Sequence, residues 1–370
     1  MRSFCKFILP IFCALLVLCL GIMIYRCFFA RVIITDAEIS VEETAFHPSN
    51  DRQYNASVWM DVYNKQLYFC PQRKEGSKMT AYQNWICRFE KGNVRKLYRL
   101  NDDLMPRHRT SILTELDGNV IYVRYDPFSV CSVNLDTNAD RVLYSDSGPD
   151  SIWLYHFVPG ENDLLCPLPI SSHNEPTFLH IGSTADTKVL HETCGYKMGD
   201  AEYLVHRGYY DQAEQILCKK DGIFQVLSLG GAERRSLIPS DHGILIHNEG
   251  WKDILYIIKE DGTVTELFRV DCLESVTAVT VHGENVYLSL RRYQEYGPME
   301  IGFLRSENDE MEGLYRISLL DGTVEKLSDT FYDGLYVFDD SGIFACDEFC
   351  SIYKLDFNGN VINTMMEVKH

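Results

Sequence analysis

The stretch Leu314-Tyr315-Arg316-Ile317-Ser318-Leu319-Leu320-Asp321-Gly322-Thr323-Val324-Glu325-Lys326-Leu327 decides how the rest of the chain is read. Apolar residues alternate with polar ones on both sides of Asp321-Gly322. An Asp-Gly pair between two alternating runs is a strong short-range signal for a β-hairpin. The unit recurs. Ile254-Leu255-Tyr256-Ile257 leads through Asp261-Gly262 to Leu267, and Ile352-Tyr353-Lys354-Leu355 through Asn358-Gly359 to Met365. Val130-Cys131-Ser132-Val133 leads through Asp136-Thr137-Asn138 to Leu143. Weaker copies begin at Ile86 (turn Gly92-Asn93), Phe178 (turn Ala185-Asp186) and Ile223 (turn Gly230-Gly231).

Copies therefore start at residues 86, 130, 178, 223, 254, 314 and 352. Their mean spacing of roughly 44 residues is the length of a four-stranded propeller blade. Most copies follow another short apolar run, such as Gln66–Cys70, Asn119–Tyr125 or Gly342–Cys346, and several follow one more, such as Ser151–Phe157, Val276–Val281 or Gly334–Phe338. A lone blade exposes two apolar faces and two edges, so blades must stack, and closing the ring removes the exposed ends. The predicted fold class is all-β: a single β-propeller of about seven four-stranded blades, with six or eight also compatible with the spacing. The interval from 223 to 254 is too short for four strands and predicts a degenerate fourth or fifth blade. The interval from 254 to 314 holds an acidic insert over residues 293–312.

The runs at residues 314–329 and 334–346, with their echo at 351–361, resemble the TolB-like propellers of bacterial surface proteins. They are most similar to a group with tandem hairpins of this kind, often behind an N-terminal membrane segment. The resemblance covers about residues 57–366. It implies the fold and carries over no functional residue, because it rests on a structural repeat.

Residues 7–25 contain no charge. As a helix this segment would extend roughly 28 Å, close to the thickness of a hydrocarbon core. The residues after it, Tyr25-Arg26-Cys27-Phe28-Phe29, make a poor signal-peptidase site, so an uncleaved signal-anchor is expected. The resulting division is a cytoplasmic head at 1–6, a transmembrane helix at 7–25, a stalk or closing strand at 26–55, and an extracytoplasmic propeller at 56–370. The expected localisation is the cell membrane, single-pass.

The chain carries a net charge of −18, although residues 1–31 hold four cations (Arg2, Lys6, Arg26, Arg31) and no acid. So acidic a body repels phosphate backbones and disfavours nucleic acid as a partner. The 13 cysteines include nine away from the apolar segment and its flanks, from Cys70 on, an odd number set mostly in strand-like runs. That pattern predicts thiols in place of a disulfide scaffold, with Cys346 and Cys350 the one pair close enough to meet.

Catalytic signatures are absent. The sequence has no G-x-S-x-G elbow, no H-E-x-x-H, no C-x-x-C and no glycine-rich phosphate loop. His191, Glu192 and Cys194, with His173 and His180 nearby, read as strand ends and loops more readily than as a zinc site, which needs tetrahedral convergence. His242 and His247 sit five apart, on opposite sides of a strand. Arg107-His108-Arg109 reads as a rim cluster. No metal, cofactor or catalytic residue is assigned. Long loops on repeats tend to carry binding. The acidic insert with its aromatic residues (Tyr293, Tyr296, Phe303, Asp309, Glu310) is therefore the first contact region for a protein or glycan ligand. The function expected is a membrane-anchored binding module. The alternative is an envelope enzyme acting on glycans or peptides through carboxylates around the propeller channel.

Overall fold

The computed structural model describes residues 14–18, 20–21, 32–34, 57–71, 82, 84–90, 93–100, 113–125, 128–145, 158–159, 163–167, 178–183, 186–190, 195–206, 215–227, 229, 234–249, 253–270, 274–292 and 311–368. A short strand, β1 (Val32–Ile34), precedes the first blade. Blade 1 comprises β2 (Val58–Tyr63), β3 (Gln66–Pro71), β4 (Trp85–Glu90) and β5 (Asn93–Arg99). Blade 2 comprises β6 (Leu113–Leu116), β7 (Asn119–Tyr125), β8 (Phe128–Asn134) and β9 (Asp140–Ser145), and blade 3 β10 (Val158–Pro159), β11 (Asp163–Pro167), β12 (Phe178–Gly182) and β13 (Thr187–Leu190). Blade 4 follows with β14 (Tyr196–Met198), β15 (Ala201–His206), β16 (Gln215–Lys220) and β17 (Ile223–Leu227), and blade 5 with β18 (Arg234–Ser240), β19 (Gly243–Glu249), β20 (Ile254–Ile258) and β21 (Val264–Arg269). Blade 6 is β22 (Glu274–His282), β23 (Asn285–Arg292), β24 (Gly313–Ser318) and β25 (Val324–Ser328), and blade 7 is β26 (Gly334–Asp339), β27 (Gly342–Cys346), β28 (Ile352–Leu355) and β29 (Val361–Val368).

Each blade is an antiparallel meander in sequence order, and together they make a seven-bladed propeller. First strands of neighbouring blades meet, β2 touching both β6 and β26, and β22 touching both β18 and β26, so the first strands of blades 1, 2, 5, 6 and 7 are innermost. The apolar residues cluster between blades. Trp59, Tyr68 and Ile86 of blade 1 pack with Val120, Tyr122 and Val133 of blade 2, and Leu245, Leu255 and Ile257 of blade 5 with Val286, Leu288 and Ile317 of blade 6. Burying each such side chain contributes about 1.5–3 kcal/mol. This is how alternating strands that cannot hide both faces alone become stable.

One expectation is corrected. The unit starting at Ile223 is not a third strand followed by a Gly230-Gly231 turn. It is β17, the outer fourth strand of blade 4, and the hairpin turn that defines the repeat is Asp221-Gly222, following β16. Its apolar sequence imitates a buried strand, yet Ile223 is 64% exposed. With β16 in the third position, blades 4 and 5 each have four strands and neither is degenerate.

Closure of the ring shares no strand between the chain ends, because all four strands of blade 7 come from the C-terminal part. β1 adds a fifth strand outside β29 and replaces none. The seam is side-chain packing: Val58, Met60, Val62 and Phe69 of blade 1 against Tyr336, Phe338, Phe344 and Met366 of blade 7. Tyr336 Oη donates to the Val58 carbonyl at 2.6 Å, and Ser57 Oγ donates to the Asp347 carbonyl. Ser57 is buried in this seam.

Residues 14–18 and 20–21 are helical. Among the described residues no helix is long and apolar enough to cross a membrane.

Candidate functional site

Strand direction sorts the connections onto two ends of the ring. At one end lie the turns joining first to second and third to fourth strands, all two to five residues long. Such turns are fixed by local chemistry. Asp261 and Asp321 each accept the N–H of the threonine two residues on, at 2.8 and 3.0 Å; the Thr263 hydroxyl and then its N–H lower the Asp261 carboxyl, and the Thr323 N–H with the Ser318 hydroxyl lowers that of Asp321. At the other end lie the second-to-third connections and the links between blades, which run from 2 to 20 residues, residues 293–312 being the longest. Short turns leave little surface to vary, whereas long connections on fixed roots make a binding surface.

The roots of the 293–312 connection are rigid. Gly313 has φ +148°, and a Cβ there would sit 2.1 Å from the Ser328 carbonyl oxygen, so the strand begins where only glycine fits. Tyr315 Oη donates to the Met311 carbonyl at 2.7 Å. Near the other root, Arg291 pairs with Glu348 of blade 7 at 2.9 Å and stacks over Phe331. Tyr293, Tyr296, Phe303, Asp309 and Glu310 lie outside the described residues. So do Arg107, His108, Arg109, His173, His191, Glu192 and Cys194.

The described histidines are dispersed. His180 Nε2 lies 2.6 Å from Asp163, while His242 sits in the β18–β19 turn and His247 is buried 3.6 Å from Asp253. Among the described residues no three His, Cys, Asp or Glu side chains converge as metal ligands. The described cysteines, Cys346 and Cys350 included, carry thiols. Both sulfurs turn to blade 1, Cys350 Sγ reaching the Ser57 carbonyl at 3.7 Å and Cys346 Sγ the Val58 carbonyl at 3.8 Å.

A polar cluster escaped sequence reasoning. At the loop-bearing end of blade 5, Arg235 Nε donates to Asn248 Oδ1 at 2.7 Å, both residues being buried. Asp253 accepts the Val276 N–H at 2.7 Å, joining blade 5 to the innermost strand of blade 6. The only signal was His247-Asn248-Glu249 closing the apolar run Ile244-Leu245-Ile246, which also fits a plain strand end.

Three carboxylates with described side chains stand on innermost strands. Glu115 accepts the Gly118 N–H at 2.5 Å and Asp339 the Ser341 N–H at 2.8 Å, so both serve turns. Asp61 is different. Burial pushes its carboxyl up to about 7, against the lowering effect of N–H bonds from Val62 and from Glu115 of blade 2. It bridges the first strands of blades 1 and 2.

No family model matches the sequence, and no curated protein matches it. Solved structures do. A puromycin-hydrolyzing peptidase of Mycobacterium tuberculosis is 11% identical with a TM-score of 0.50, over 90% of this chain and 56% of that one. The β-propeller domain of the Trilobed protease from Pyrococcus furiosus is 11% identical with a TM-score of 0.47, over 85% and 97%. An acylaminoacyl peptidase of Pyrococcus horikoshii is 13% identical with a TM-score of 0.47, over 86% and 54%. This chain spans about half the length of the two peptidases. At such identities the likeness concerns the fold alone.

Proposed function

We propose that this chain is a membrane-anchored, extracytoplasmic β-propeller that binds a protein or glycan ligand on its loop-bearing end. The observation that carries the reading is the asymmetry of the ring: turns of two to five residues at one end, connections of up to 20 at the other. The uncharged run at residues 7–25 supports the anchor. The engagement of Glu115 and Asp339 in turns favours binding over hydrolysis.

The test replaces residues 293–310 by a short Gly-Ser linker and, separately, exchanges the Asp221-Gly222 turn at the opposite end for Asn-Gly. Both proteins are presented to a glycan array and to detergent-solubilised envelope. Capture by the parent chain should be lost in the first variant and kept in the second. Equal capture by both would place the ligand elsewhere.

A further inference from the structure

The pairing of β1 with β29 has a polarity that fixes where the chain arrives at the propeller. β29 leaves the 356–360 turn at Val361, on the short-turn end, and reaches the loop-bearing end at Val368. The register sets Val32 against Val368 and Ile34 against Met366. β1 therefore begins, at Val32, at the loop-bearing end on the outer rim of blade 7. A separate contact agrees: the Val368 N–H donates to Ser351 Oγ at 3.1 Å, and Ser351 belongs to the 347–351 connection of that end.

Only residues 26–31 separate β1 from the uncharged run. Even fully extended, the seven Cα–Cα steps from 25 to 32 reach no more than about 25 Å. The link can therefore hold β1 no further than about that distance from the uncharged run. The composition of the link suits an interface, with Phe28 and Phe29 between Arg26 and Arg31. The acidity of the remaining body opposes spreading over anionic headgroups, which confines contact to the rim.

We propose that β1 is a clamp that seats the loop-bearing rim of blade 7 at the membrane surface, so that the binding end meets partners carried by that same membrane. The inference rests on the membrane anchor proposed above. Without the β1–β29 ladder, the chain from residue 26 to the start of blade 1 would be a tether long enough to let either end face the bilayer. With the ladder, one end is selected.

Two exposed aspartates on opposite ends provide the probes. Asp329, 95% exposed, lies in the link entering blade 7 at the loop-bearing end, and Asp340, 98% exposed, in the β26–β27 turn at the other. The full chain carrying Asp329→Cys or Asp340→Cys is labelled with a maleimide donor dye and reconstituted into phosphatidylcholine vesicles containing an acceptor-labelled lipid. The parent chain, treated identically, gives the background. Energy transfer should be at least about twofold greater from 329 than from 340, and Ile33→Pro, at the centre of the three-residue ladder where proline disfavours pairing, should abolish the contrast. Equal transfer, or more from 340, overturns the orientation. A contrast that survives Ile33→Pro overturns the clamp. If the chain fails to float with the vesicles, the anchor itself is wrong, and that result is separate from either of the others.

Discussion

Asp61 shows how a single side chain can carry a structural cost that depends on pH. Its carboxyl, on the first strand of blade 1, is raised from 3.8 to about 7 chiefly by burial. The sign follows from proton linkage. Between about pH 4 and 7 the folded chain holds a proton that the unfolded chain has released, so stability falls as pH rises through that window. The contribution is complete below about pH 4 and gone above about pH 7. Asp61→Asn keeps an acceptor for the Val62 and Glu115 N–H groups and never ionises. Its melting temperature should match the parent near pH 4 and exceed it at pH 8, by an amount on the order of 2–4 °C. Thermal scans at the two pH values decide the matter, and an identical difference at both would show that Asp61 does not titrate in the fold. Nothing in Val58-Trp59-Met60-Asp61-Val62-Tyr63 revealed this role, because an acid within an apolar strand is equally at home on a solvated face.

Among the elements, the hairpin turns separate two uses of glycine. Gly222, in the β16–β17 turn, has φ +76° and open space around its missing Cβ. Gly342, at the start of β27, has φ +141°, and a Cβ there would meet the Leu355 carbonyl oxygen at 2.2 Å. Gly222→Ala therefore adds only backbone strain, about 1 kcal/mol, whereas Gly342→Ala must also push two strands apart and should cost clearly more. Urea denaturation of the two variants checks the order, and the reverse order would mean that neighbouring strands yield easily. Turn chemistry of this kind was the most legible part of the sequence, since Asp-Gly and Asn-Gly pairs mark left-handed positions whatever surrounds them. The misplacement of the Ile223 copy has the matching cause. Asp221-Gly222 is itself such a pair, but the apolar residues of β17 imitate a buried third strand and divert the reading to Gly230-Gly231, although Ile223 and Val226 are exposed.

At the scale of the whole ring, the seam between blades 1 and 7 is the joint on which closure depends. It holds without strand exchange, through Phe344, Phe338 and Tyr336 of blade 7 packed on Val58, Met60 and Phe69. Phe344→Ala should cost roughly 3–5 kcal/mol, and Tyr336→Phe about 0.5–1.5 kcal/mol through its lost bond to Val58. Deleting residues 1–34 should cost less than Phe344→Ala and leave one cooperative transition, because β1 lies outside blade 7. Calorimetry of the three proteins tests this, and a truncated chain that melts in two steps would show β1 to be part of the closure.

The sequence by itself determined the class of fold and the approximate number of blades. Both follow from period-two alternation and turn residues, which are local properties of side chains. Only the tertiary structure decided that β17 is an outer strand, that β1 lies along β29, and that the long connections share one end while Arg235, Asn248 and Asp253 gather beneath it. Which strand covers an edge is settled by backbone N–H and C=O groups, and every residue except proline carries the same pair. Edge pairing therefore leaves almost no trace in the order of the side chains.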